Sequence, residues 1–240
     1  MTGDSGPTGA TGESGALGDS GIVDGHGPDA QHPPGPELRR LADELRRAID
    51  LTVRTVAPPD VLAKATDALE RATALLAAHA PPWDPSVPAK PLATLDPHEY
   101  FPFSPMIGWY SPLAPPIHCT VGDGVVHGRG VLGAPYEGPP GCVHGGVIAG
   151  LFDEVLGIAN ITAGLGAMTG TLSIRYVSPT PLYQELRFEG RFTGVEGRKV
   201  STTGTLHVGD RLCAEANGIF IVVARERFAQ HALEHGGAPQ

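Results

Sequence analysis

Cysteine is scarce in this 240-residue chain: Cys119, Cys142 and Cys213 are the only three, an odd number with no C-x-x-C spacing. A disulfide framework is therefore excluded as the organising device, and a reducing compartment, the cytoplasm, is the expected location. His118, Cys119, His127 and Cys213 show no zinc-ligand spacing, so no metal is expected. Positive charge is also short, with 17 Lys and Arg against 26 Asp and Glu and a formal charge of −9. Binding to phosphate-rich surfaces needs the opposite balance, which removes nucleic acid and anionic membranes from the expected partners. Long apolar runs are missing too. The uncharged stretch Val155 to Ile174, of membrane-spanning length, contains four Gly and five Asn, Ser or Thr, a poor composition for a membrane span. The first residues, MTGDSGPTGATGE, have neither a basic nor an apolar region, so no secretory signal is expected.

Glycine and proline, by contrast, are abundant and clustered, and they divide the chain. Gly3 to Gly21 recur at every third position, the collagen spacing, but Pro7 is the only Pro between them through Ser20. Residues 1–36 carry five acids and no Lys or Arg, and read as a disordered acidic tail in preference to a trimerising one. Over 37–80, Leu38, Leu41, Leu45, Ile49 and Val53 form one apolar stripe and Val61, Leu62, Ala65, Leu69, Ala72 and Leu76 a second. The break at Ala57-Pro58-Pro59 makes a helical hairpin of them, expected to cap or dock on the main domain. Residues 81–116 hold eleven of the 24 Pro and read as an extended linker without helix or central strand. Its aromatic half, Tyr100 to Tyr110, is expected to lie on apolar surface, as a packed wall or as the lining of a ligand channel. A short C-terminal tail covers 225–240.

The body, residues 117–224, alternates two β candidates, one helix and four more β candidates, an α+β layout with an antiparallel sheet on one long helix. The helix is the most informative stretch. Plotted at 100° per residue, Val147, Ile148, Leu151, Phe152, Val155, Leu156 and Ile158 fill the face expected to meet the sheet. Opposite stand Gly146, Ala149, Gly150, Asp153, Gly157 and Asn160, a carboxylate on a strip with almost no side chains. Glycine costs helix stability by about 1 kcal/mol relative to Ala, so a close neighbour is expected along that strip.

Three pieces of text together resemble a known family: Tyr136-Glu-Gly-Pro-Pro-Gly-x-Val-His144-Gly-Gly, Asp153 nine residues after His144, and Thr169-Gly-Thr-Leu-Ser-Ile-Arg-Tyr-Val-Ser-Pro-Thr-Pro-Leu182. They resemble the hotdog-fold acyl-CoA thioesterases of the phenylacetic-acid-pathway (PaaI-like) type and its animal relatives. The resemblance covers residues 117–224. It implies hydrolysis of an acyl-CoA to free acid and CoA, with the Gly145 N–H as oxyanion hole, Asp153 as base or nucleophile and Thr169 orienting the water or the carboxylate. It also implies a homo-oligomer, a dimer or a dimer of dimers, and no cofactor, since CoA is part of the substrate. The chemistry agrees: a free N–H at a helix start carries partial positive charge, and a thiolate leaves without a strong general acid.

Each residue also has a plainer reading. His144 either shapes the helix start or touches the thioester oxygen. Arg198 and Lys199 either hold CoA phosphates or are solvated turn charges. Thr169 without the family match is an ordinary strand-start residue, Glu154 beside the apolar arc is structural, and Cys142 two residues from His144 does not make a dyad by adjacency. The competing functions are a hotdog hydratase or dehydratase, for which no separate His and acid pair is evident, and a non-catalytic acyl-CoA sensor.

Overall fold

The computed structural model describes residues 35–80 and 96–223. The expected tail through residue 34, the linker through residue 95 and the C-terminal tail lie outside the described residues. The body contains β1 (Ile117–Gly122), β2 (Val125–Val131), a 3-10 turn (Ala134–Tyr136), helix α4 (Gly145–Thr162), β3 (Ala167–Tyr176), β4 (Glu185–Glu196), β5 (Lys199–Val208) and β6 (Arg211–Val222). Three helices precede it: α1 (Pro36–Arg54), α2 (Pro59–Ala77) and α3 (Pro97–Tyr100). The strands form a single sheet, order β1-β2-β4-β5-β6-β3, antiparallel at every pairing. This is the hotdog layout, a sheet wrapped on one helix, with β3 on its edge.

Helix α4 reaches the sheet because the sheet is hollowed beneath it. Gly190 pairs with Gly204 across β4 and β5, and Gly218 of β6 pairs with Thr202 of β5. A Cβ on Gly190 would stand 2.6 Å from Val155 Cγ1 and 3.0 Å from its carbonyl oxygen, and one on Gly218 3.2 Å from Leu156 Cδ1. Close packing leaves no room for those atoms. Leu151, Phe152, Val155 and Leu156 are fully buried there, and the Phe152 ring meets Phe188 edge-on at 5.3 Å between centroids. By length and composition α4 could cross a membrane, yet eight of its residues are buried in this domain.

The segment before β1 departs from expectation. Residues 97–100 form α3 despite the surrounding prolines, because Pro97 occupies the first turn, where no N–H is needed, and Asp96 caps it by accepting from His98 N–H. His98 then locks the segment to the sheet. Its Nε2 accepts from the Cys119 N–H at 2.9 Å, so its Nδ1–H donates to the Ile107 carbonyl at 2.9 Å, and its ring stacks on those of Trp109 and His118. Residues 96–116 are thus a strap packed on the domain.

The two N-terminal helices are present, but they do not close on each other. The docking side of α1 is Ala42, its one buried residue, with Arg46, whose guanidinium donates to the carbonyls of Gly108, Trp109, Ser111 and Ala114. A polar docking surface selects arginine, so Leu38, Ile49 and Val53 of the apolar stripe stay partly exposed. No residue of α2 is buried. In β4, Phe192 keeps the register of Leu186 and Phe188, opposite the buried Thr202, but is 37% exposed near the end of the strand.

Candidate active site

The loop before α4 is tied at several points. Glu137 Oε1 accepts from the Gly141 N–H at 2.7 Å, Val143 N–H donates to the Thr180 carbonyl at 2.8 Å, and Leu182 N–H to the Gly141 carbonyl at 3.0 Å. Gly141 has φ +73° and Gly138 lies so near His144 that a Cβ would sit 2.7 Å from its Cα, which explains both glycines. The loop delivers His144 to the N-cap of α4, where its Nδ1 accepts from the Gly146 N–H at 3.0 Å. His144 therefore shapes the helix start, one of the two roles its sequence position allowed.

Gly145 follows as the first helical residue, so its N–H has no partner within the helix. The Tyr176 hydroxyl donates to the Gly145 carbonyl at 2.8 Å and lies 3.3 Å from where a Cβ would be. Sequence reasoning read Tyr176 only as motif text. Its role depends on β3 running antiparallel beside the helix start, which periodicity does not reveal.

Two turns along α4, the half-buried Asp153 accepts from the Thr169 hydroxyl at 2.6 Å. The structure thus joins two of the expected site residues, and it does so through a bulge in β3 between Thr169 and Thr171. It does not join Asp153 to Gly145 of the same chain. Eight residues of helix separate them by about 12 Å along the axis.

Glu154, the next residue, faces the strap. Its carboxyl is held by the Ser104 hydroxyl, whose oxygen accepts from the N–H groups of Met106 and Ile107. Burial pushes the Glu154 carboxyl up to about 7, opposed by the Ser104 hydrogen bond and assisted by the neighbouring Asp153 charge. One turn earlier, Met106 fills the space above Gly150, its sulfur 2.6 Å from an ideal Cβ. Part of the expected close approach to the small-residue strip is therefore the chain's own strap, a partner that only the fold could supply.

The other candidates lie apart. Arg198 and Lys199 stand at the β4–β5 turn, where Arg198 Nε donates to the Val222 carbonyl at 3.2 Å. Register puts Val200 opposite Phe220 and Phe220 opposite Thr169, so the two cations border the row two strands from Thr169, about 10 Å away. Cys142 is tied through its backbone to Pro181, and Cys119 is buried, its thiol pushed up to about 12 by desolvation. Burial in this way leaves the Cys119 thiol unactivated. Among the described residues, no three His, Cys, Asp or Glu gather as a metal site.

The sequence matches the thioesterase superfamily over residues 140–215, the stretch from the tied loop into β6. A crystal structure of protein RHA08564, a thioesterase superfamily protein, is 37% identical, aligns over 79% of this chain and 97% of that one, and superposes with a TM-score of 0.69. The chain belongs to the thioesterase superfamily. Acyl-coenzyme A thioesterase THEM4 of Xenopus laevis is 38% identical over 90 residues, 36% of this chain and 40% of that protein. THEM4 of Mus musculus is 36% identical over 97 residues, 40% of this chain and 42% of that protein. This superfamily member thus spans about two-fifths of the length of those curated relatives, and its α1, α2 and strap lie outside the family match.

Proposed function

We propose that this protein hydrolyses acyl-CoA thioesters. The observation that carries the reading is the Thr169 hydroxyl on Asp153 Oδ1 at 2.6 Å, a carboxylate fixed in orientation on a strip of small residues. Such a group takes the proton of a water whose oxygen attacks the thioester carbon. The Gly145 N–H stabilises the oxyanion so formed. When the C–S bond breaks, the sulfur leaves as a thiolate and takes up the proton, giving free acid and CoA. The THEM4 proteins, named as acyl-coenzyme A thioesterases, support the same substrate class.

One thioester carbon cannot touch groups about 12 Å apart, so the reading requires a homodimer in which Asp153 of one protomer stands beside Gly145 of its partner. Arg198 and Lys199 serve the CoA phosphates, and the three free thiols suit a cytoplasmic setting. CoA enters as substrate, and no separate cofactor takes part. The sensor alternative predicts binding without release of thiol.

Complementation tests the shared site. Asp153→Asn and Gly145→Pro chains are each expected to lose at least about a hundredfold in turnover, the first for want of a base and the second because Pro lacks the N–H yet fits a first helical turn. In a mixed dimer one site keeps both native groups, so thiol release should return to about a quarter of wild type under random subunit exchange. Demonstrated exchange without recovery removes the shared-site mechanism.

A further inference from the structure

The first two residues of α4 are both glycine, although both lie within the helix and neither has a positive φ. Glycine is a poor helix former, so the pair has some other cause. The space around each residue supplies it. A Cβ on Gly145 would stand 3.3 Å from Tyr176 Oη and 3.4 Å from Cζ of the same ring. A Cβ on Gly146 would stand 3.1 Å from both Nδ1 and Cε1 of His144. Each glycine makes room for one ring.

The two rings grip a single peptide unit. Tyr176 Oη donates to the Gly145 carbonyl at 2.8 Å, and His144 Nδ1 accepts from the Gly146 N–H at 3.0 Å. These are the two polar ends of the planar amide that joins Gly145 to Gly146, so side chains from elsewhere fix a plane that two glycines leave loose. The carbonyl can take this second bond, because it has two lone pairs and the helix uses one. The neighbouring donors of the first turn are also occupied, since the Val147 and Ile148 N–H groups both donate to the His144 carbonyl, at 3.0 and 3.2 Å. Among the described residues, only the Gly145 N–H of that turn is left without a partner.

Tyr176 gains the fold little by this contact. Its side chain is 53% exposed on the edge strand β3, where the hydroxyl exchanges water for the carbonyl at a small net gain. We infer that Tyr176 is a positioning residue for the oxyanion hole: its hydroxyl, opposed by His144 across the Gly145–Gly146 amide, aims the free Gly145 N–H at the thioester oxygen. This rests on the thioesterase reading, with Gly145 as the oxyanion donor. Tyr176 touches no reacting atom and acts through the backbone. A donor aimed at the place where charge develops stabilises the transition state more than the bound substrate, so an error of aim is felt in turnover and not in binding.

The test is Tyr176→Phe, which keeps the ring over Gly145 and removes the hydroxyl, assayed by thiol release from the best substrate of a panel of short, long and aryl acyl-CoAs. Turnover should fall by about tenfold, less than the roughly 10²- to 10³-fold that follows outright loss of an oxyanion donor. KM should stay within about twofold of wild type, and the melting temperature should not move. Tyr176→4-aminophenylalanine, which returns a hydrogen-bond donor to the same end of the ring, should recover most of kcat. Wild-type kcat in Tyr176→Phe overturns the inference and leaves the thioesterase reading standing. A rise in KM at constant kcat overturns it too, by making Tyr176 a substrate contact. So does a loss of kcat that follows a fall in melting temperature, or one that the amino analogue does not repair, since either makes the role structural. If the wild-type protein releases thiol from no member of the panel, the thioesterase reading fails and this inference falls with it.

Discussion

Thr169→Val isolates the contact on which the catalytic reading stands. The substitution keeps the side chain's shape and β-branching, so a strand position accepts it, and removes only the hydroxyl that donates to Asp153 Oδ1 at 2.6 Å. A hydrogen bond to a charged group is worth about 1.5–3 kcal/mol net, and at 1.36 kcal/mol per tenfold this is a loss of roughly 10- to 150-fold in turnover. Because Thr169 acts through Asp153, the loss should fall on kcat, with KM within about twofold of wild type. Thr169→Ser, which keeps the donor, should recover most of the activity. Thiol release from a saturating acyl-CoA gives kcat, a substrate titration gives KM, and a melting curve checks the fold. A Thr169→Val protein with kcat within twofold of wild type would falsify the role given to this hydroxyl.

Three further outcomes follow from the packing and the charges. Gly190→Ala places a methyl group 2.6 Å from Val155 Cγ1 and near its carbonyl oxygen, so denaturant unfolding should show a loss of about 1–3 kcal/mol; an unchanged midpoint would mean that α4 lifts freely off the sheet. Glu154 has its carboxyl raised to about 7 in the fold against 4.5 for the ordinary group, so the folded state holds the proton more tightly and loses that stabilisation as pH rises through about 7. Glu154→Gln should flatten the fall in melting temperature between about pH 5 and 8, and parallel pH curves for the two proteins would contradict the assignment. Cys142→Ala should leave turnover within about twofold; a collapse of activity with an unchanged melting curve would revive a thiol nucleophile.

The sequence determined a good deal by itself, wherever information is periodic or local. The inward row of Leu151, Phe152, Val155 and Leu156 and the succession of strands and helix along the body fell out of residue spacing, and the loop, carboxylate and strand-end text pointed to the thioesterase superfamily. The pairing of Asp153 with Thr169 was legible only as a family implication, since sixteen residues and a β-bulge separate the two. Tertiary structure alone decided what crosses between segments. The stripe of α1 looked like its docking side until the carbonyls of residues 108–114 converged on Arg46, because the direction of a surface is not encoded in the helix that meets it. The prolines of the linker excluded a regular element in general, but one at a first helical turn with Asp96 as cap permits α3. Met106 above Gly150, Ser104 on Glu154 and the orphaned amide of Asn160 are likewise invisible in spacing, because each depends on which surface the fold brings against the other.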